Sequence, residues 1–105
     1  MNFNDLRVMA IGAHPDDADV YVGCSALKWA DRGARVRFVS VCDGSKGWHL
    51  VPNDGVAERR LAESQAAAKA FGLESYDVWD VPDCEIEPTV GLRRRMTRLV
   101  REFAP

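Results

Sequence analysis

Apolar positions along this chain follow two alternating patterns. Leu6 to Gly12 is short and apolar, with the unbroken run Val8-Met9-Ala10-Ile11-Gly12. Such a run suits a parallel strand covered on both faces. Between Ala18 and Arg32, Val20, Cys24 and Leu27 recur at helical spacing, and Gly33 follows where a helix cap belongs. Val36 to Cys42 reads as a second strand. Asp43-Gly44-Ser45-Lys46-Gly47 is a turn-rich loop that continues through Trp48, His49 and Pro52-Asn53-Asp54-Gly55. Val56 to Phe71 is an Ala-rich helix closed by Gly72, with Asp54 as its expected N-cap. Tyr76 to Val81 alternates as a third strand does and is left through Pro82-Asp83-Cys84. The last helix is predicted from Thr89 to Phe103. Its apolar stripe is Leu92, Met96, Leu99, Val100 and Phe103, with Arg93, Arg94, Arg95, Arg98 and Arg101 largely off it.

The order βαβαβα predicts an α/β chain: a Rossmann-like three-layer fold with a parallel sheet and right-handed crossovers. A chain of 105 residues is enough for one domain. It stops at Ala104-Pro105, directly after a helix, where a further strand is the expected continuation. Three strands alone leave exposed edges, so residues 1–105 are expected to be the N-terminal portion of a longer domain, or to associate with a second copy.

Charge and composition narrow the partners. A net charge of −2 is too near neutral for nucleic acid or an anionic membrane as main partner. No apolar run approaches the ~20 residues of a membrane helix. Met1-Asn2-Phe3-Asn4-Asp5 lacks the basic and apolar regions of a secretion signal. Cys24, Cys42 and Cys84 are scattered and odd in number, which reads as free thiols in a reducing cytoplasm.

The chemistry is concentrated in His14-Pro15-Asp16-Asp17, at the first strand-to-helix junction. In an open α/β sheet, ligands bind at the carboxyl ends of the strands. His14 precedes a proline and is pushed toward extended backbone, as for the last residue of a strand. A His and an Asp three residues apart can share one metal ion. The adjacent carboxylates point in different directions, so one is free to take a proton from a metal-bound water. The plain alternative is a capped turn with a surface histidine.

With Ala13-His14-Pro15-Asp16-Asp17 after an N-terminal strand, the chain resembles the PIG-L/LmbE family of zinc-dependent N-deacetylases. The resemblance extends over essentially all 105 residues: Cys42-Asp43-Gly44 after the second strand, Arg60-Leu61-Ala62-Glu63 and Phe71-Gly72 in the second helix, Pro82-Asp83 after the third strand, and Val100 to Pro105 at the end. It implies a single deacetylase domain that removes an acetyl group from an N-acetylated sugar conjugate. By position it makes His14 and Asp17 ligands of Zn2+, Asp16 the general base, and Arg60 and Asp83 contacts for the sugar. Two departures stand out. Tyr21-Val22-Gly23-Cys24-Ser25 replaces the family's usual Gly-Gly pair, and the family's third zinc ligand, a downstream histidine, has no counterpart before Pro105. His49 is read as a surface or pocket-lining residue, the arginines of the last helix as a solvated face, and Trp29 and Trp79 as packing. Two other readings stay open: a non-catalytic nucleotide- or sugar-binding module, disfavoured by the lack of G-x-G-x-x-G, and an inactive truncated remnant.

Overall fold

The computed structural model describes residues 2–49 and 54–105. Pro52 and Asn53 of the long loop lie outside them. The elements are β1 (Arg7–Gly12), α1 (Asp17–Asp31), β2 (Arg35–Cys42), α2 (Val56–Phe71), β3 (Ser75–Val81) and α3 (Val90–Phe103). Among the described residues the sheet runs β1-β2-β3 and both pairings are parallel, so β1 and β3 are its edges. The α/β order expected from the sequence is the one observed.

The period of two along β2 sorts its side chains onto two faces. Val36 and Phe38 point to one face, with Val8, Ala10 and Tyr76 from the neighbouring strands and Ala18, Ala26, Ala67, Ala68 and Phe71 from α1 and α2. Val39 and Val41 point to the other, with Met9, Trp79 and the α3 residues Leu92, Met96 and Leu99. The helices therefore lie α1 and α2 on one side, α3 on the other. Phe38 is fully buried and meets the Tyr76 ring edge-on at 5.5 Å. Burying a phenyl of this kind contributes about 1.5–3 kcal/mol.

Four local expectations need correction. The stripe Val20, Cys24, Leu27 does not face the core: Val20 is 75% exposed, Leu27 40%, and Cys24 is exposed. The buried positions of α1 are the small residues Ala18, Gly23 and Ala26, which let the helix sit close to its neighbours. A Cβ at Gly23 would lie 2.8 Å from Cζ of Phe71, so glycine at this point is what admits the α2 ring. Asp54 does not cap α2; Gly55 occupies that position in left-handed backbone, without a side-chain cap bond. Val100 lies off the buried stripe of α3 at 36% exposure, whereas Phe103 is buried beneath the guanidinium groups of Arg35 and Arg37. Ile11 is also 45% exposed, so β1 is covered less completely than its unbroken apolar run predicts.

The remaining boundaries follow familiar chemistry. Thr89 caps α3, its side chain accepting from the Leu92 N–H at 3.1 Å. Gly72 ends α2 in left-handed backbone, as expected of a C-terminal glycine. Trp79 is buried, with the Arg95 guanidinium 4.1 Å from its ring centroid, and Trp29 packs against the core, so both tryptophans act in packing.

Candidate functional site

Parallel strands deliver their carboxyl ends to one edge of the sheet, and three connections meet there: residues 13–16 after β1, 43–47 after β2 and 82–85 after β3. The ladder bonds run on past the strands and seat these turns. Cys42 N–H donates to the Ala13 carbonyl at 2.8 Å, and Asp43 N–H to the Val81 carbonyl at 2.9 Å. A cleft of about 440 Å3 opens between them, lined by His14, Asp16, Asp17, Lys46, Gly47, Arg60, Asp83 and Cys84. All five residues singled out in the sequence border this one cleft.

β1 ends at Gly12, so His14 belongs to the turn rather than to the strand. The turn is closed by Asp17. Its Oδ2 accepts the N–H groups of Ala13 and His14, at 2.9 and 2.8 Å. Asp16 is the N-cap residue of α1 yet makes no side-chain cap bond, leaving its carboxylate 59% exposed. The two adjacent carboxylates are thus divided in use, one tied to the turn and one open to the cleft. Gly12 fits beneath them because a Cβ there would stand 2.7 Å from Cβ of Asp17.

The His14 ring lies between two carboxylates. Nδ1 is 3.7 Å from Asp17 Oδ2 and Nε2 is 3.9 Å from Asp83 Oδ1. Both distances exceed hydrogen-bond length, so the ring nitrogens remain open as donors to a ligand. Asp83 is buried, and its two oxygens accept the backbone N–H groups of Gly44 and Lys46 at 2.9 and 3.1 Å. It fastens the loop after β2 to the end of β3. Arg60 reaches the cleft from α2, with Nη2 3.3 Å from Asp16 Oδ1. Its side chain lines the cleft in which the resemblance expects a sugar contact.

Other residues sort themselves by contact. Asp43 Oδ1 accepts the Ser45 N–H at 2.9 Å, a self-closed turn. His49 is exposed, its ring against Trp48, and does not line the cleft. Cys42 is buried, and its thiol is held above the usual range first by that burial and then by the charges of Asp83 and Asp43. It stays a neutral thiol, as expected of a structural cysteine. The sequence reading missed Lys46 and Ser64. Lys46 sits in a Gly-x-x-Gly loop, a signal for a side chain presented by a tight turn. Buried Ser64 lies between Glu63 and Gln65 on α2, with Oγ 2.9 Å from the Arg60 carbonyl and 3.4 Å from that of Pro15.

The family described as PIG-L, GlcNAc-PI de-N-acetylase, matches residues 9–105. The chain belongs to this family. Among PIG-L relatives, the diacetylchitobiose deacetylase of Thermococcus kodakarensis is 31% identical over 106 residues, covering 98% of this chain and 40% of that protein. A 1D-myo-inositol 2-acetamido-2-deoxy-alpha-D-glucopyranoside deacetylase of Streptomyces avermitilis is 31% identical over 81 residues, covering 69% of this chain and 28% of that protein. The N,N'-diacetylchitobiose deacetylase from Pyrococcus horikoshii superposes with a TM-score of 0.85 at 26% identity, over 94% of this chain and 38% of its own. The chain thus spans 40% or less of the length of these relatives. GalB, the 4-carboxy-2-hydroxymuconate hydratase of Pseudomonas putida KT2440, shares the fold with a TM-score of 0.84 at 20% identity, over 95% of this chain and 44% of its own. The same scaffold therefore carries more than one chemistry, and function has to be argued from the cleft.

Proposed function

We propose that these residues form the N-terminal part of a zinc-dependent deacetylase acting on an N-acetylglucosaminyl-type amide. One observation carries the reading: His14, Asp16 and Asp17 share one cleft at the sheet edge, with Asp17 tied to the turn and Asp16 free. Among the described residues no group of three or more His, Cys, Asp or Glu is placed to hold a metal ion. The donor chemistry nevertheless fits zinc in part. His14 offers open ring nitrogens, and Asp17 an oxygen, Oδ1, beyond the one bound to the turn. These two would be protein ligands, with a third supplied from outside residues 1–105.

Zinc, when bound, would polarise the amide carbonyl and lower the pKa of a bound water toward ~7. Of the remaining groups, this chain supplies the base, while the acid that assists amine departure has no counterpart in it. Asp16, on the open side of the turn, takes the proton from the attacking water. Asp83 places a negative charge 3.9 Å from His14 Nε2, without a hydrogen bond to the ring. Arg60 and Asp83, which border the same cleft, are the contacts for the sugar.

The test is a calorimetric zinc titration of the complete protein with Asp17→Ala as control, paired with acetate release from N,N'-diacetylchitobiose by the same protein with Asp16→Ala as control. Zinc binding lost in the first control and acetate release lost in the second are the expected results. Nucleotide binding without any metal dependence would replace this reading with a non-catalytic binding module.

A further inference from the structure

A second cavity adjoins the cleft. It measures about 160 Å3 and shares the walls Asp16, Gly47 and Arg60 with it. Its other walls are Pro15, Trp48, Val56, Arg59 and Glu63. Neither His14 nor Asp17 borders it, so a group seated there stays clear of the side chains expected to hold the metal. The volume falls short of the about 300–1,000 Å3 of sites that take a whole ligand. It suits one ring of a molecule whose other part lies in the cleft. The lining is divided by chemistry. Pro15 and Val56 are buried and Trp48 is half-buried, which makes one side apolar. Arg59 and Glu63 make the other. The Arg59 guanidinium lies 4.9 Å from the Trp48 ring centroid, and its Nε donates to Glu63 Oε1 at 3.1 Å. Both Nη groups of Arg59 are without a protein partner among the described residues. A sugar ring matches this division, with C–H groups for the apolar side and hydroxyls for the guanidinium and carboxylate. An acyl chain would leave the charged side unpaired, and an inorganic anion would face Asp16 and Glu63.

We propose that this side cavity is a second saccharide subsite, which holds the sugar ring joined to the one carrying the amide, with Trp48 and Arg59 as its specificity-determining residues. Asp16 borders both the cleft and the side cavity. A two-ring substrate therefore reaches from the candidate metal ligands, past Asp16, to Trp48, whereas a single N-acetylated sugar fills the cleft alone. The preference for two rings over one is set by a residue of the loop after β2 and a residue near the start of α2. The deacetylase reading fixes only which ring reacts; the seating of the second ring stands apart from it.

The experiment has two arms, both on the complete protein. In the first, metal is removed by chelation so that nothing is turned over, and the tryptophan indole N–H signals are followed by 1H–15N NMR. The Trp48 signal is the one lost in Trp48→Phe. N,N'-diacetylchitobiose is expected to shift it, and N-acetylglucosamine at the same concentration to leave it in place. A Trp48 signal indifferent to the disaccharide, or moved equally by both sugars, overturns the proposal. In the second arm, with metal present, Trp48→Ala and Arg59→Met are expected to raise KM about 10-fold more for N,N'-diacetylchitobiose than for N-acetylglucosamine, with kcat little changed. Trp48→Phe and Arg59→Lys, which keep an aromatic ring and a cation, are expected to recover part of that difference. Equal changes for the two sugars would make these residues supports of the loop and overturn the proposal. Absence of deacetylation in the wild type counts against the functional reading alone and leaves the NMR arm to decide.

Discussion

Asp17 is bonded to the residue it is expected to act with: its Oδ2 accepts the backbone N–H of His14 at 2.8 Å. The capped-turn reading of this motif and the metal-ligand reading are therefore compatible. One oxygen builds the turn that presents His14, and the other remains for a ligand.

That division separates stability from affinity. Asp17→Asn keeps an acceptor oxygen for the N–H groups of Ala13 and His14, and is expected to fold with stability close to wild type. Asp17→Ala leaves both exposed donors to water and is expected to lower stability by about 0.5–1.5 kcal/mol, read from urea unfolding. Zinc affinity is expected to fall in both. A variant set in which Asn and Ala destabilise equally would show that the turn does not depend on this carboxylate.

At the opposite edge of the sheet, Glu74 accepts from Arg35 Nε at 2.7 Å and from Arg37 Nε. These two hydrogen bonds hold its carboxyl below the usual glutamate range. The folded state therefore binds a proton less readily than the unfolded state. The associated stability is present above the ordinary glutamate pKa and is lost as pH falls through the lowered one. Unfolding midpoints measured from pH 6 down to 3 should decline less steeply for Glu74→Gln than for wild type.

Tyr76 is buried and donates its hydroxyl to Asp19 Oδ1 at 2.7 Å. Burial, and then that carboxylate, raise its pKa far above the ordinary phenol value. A raised pKa contributes stability that is fully present below about pH 10 and declines as pH rises beyond it. In an alkaline titration followed at 295 nm, part of the tyrosine signal is expected to appear only as the chain unfolds. Tyr76→Phe should remove that part. A single smooth titration in the folded wild type would contradict the buried hydrogen bond.

Much of this could be read in the sequence, because periodicity and turn chemistry are local. The three strands, the three helices and the glycine ending α2 emerge within a residue or two of where they lie. The gathering of His14, Asp16, Asp17, Arg60 and Asp83 follows from a general property of parallel sheets. What failed was the inner face of α1, where bulk was taken as the sign of burial. Helix packing at that interface instead uses the smallest residues, and Val20 and Leu27 are turned away. The pairing of Arg60 with Asp16 and the fastening of Asp83 to Gly44 and Lys46 join residues about 40 positions apart. Such links exist only after the strands have been brought together.

The fastening by Asp83 makes the cleft a chain of dependent parts. β3 holds Asp83, Asp83 holds Gly44 and Lys46, the loop between Gly44 and Gly47 lies against Arg60, and Arg60 pairs with Asp16 at 3.3 Å. A disturbance entering at the end of β3 is thereby delivered to a carboxylate on the far side of the sheet edge. Substitutions at Asp83 and Gly47 act on the same downstream group, so their effects on Asp16 will overlap rather than sum. The cleft tolerates change as a single mechanical unit, not as a set of separate residues.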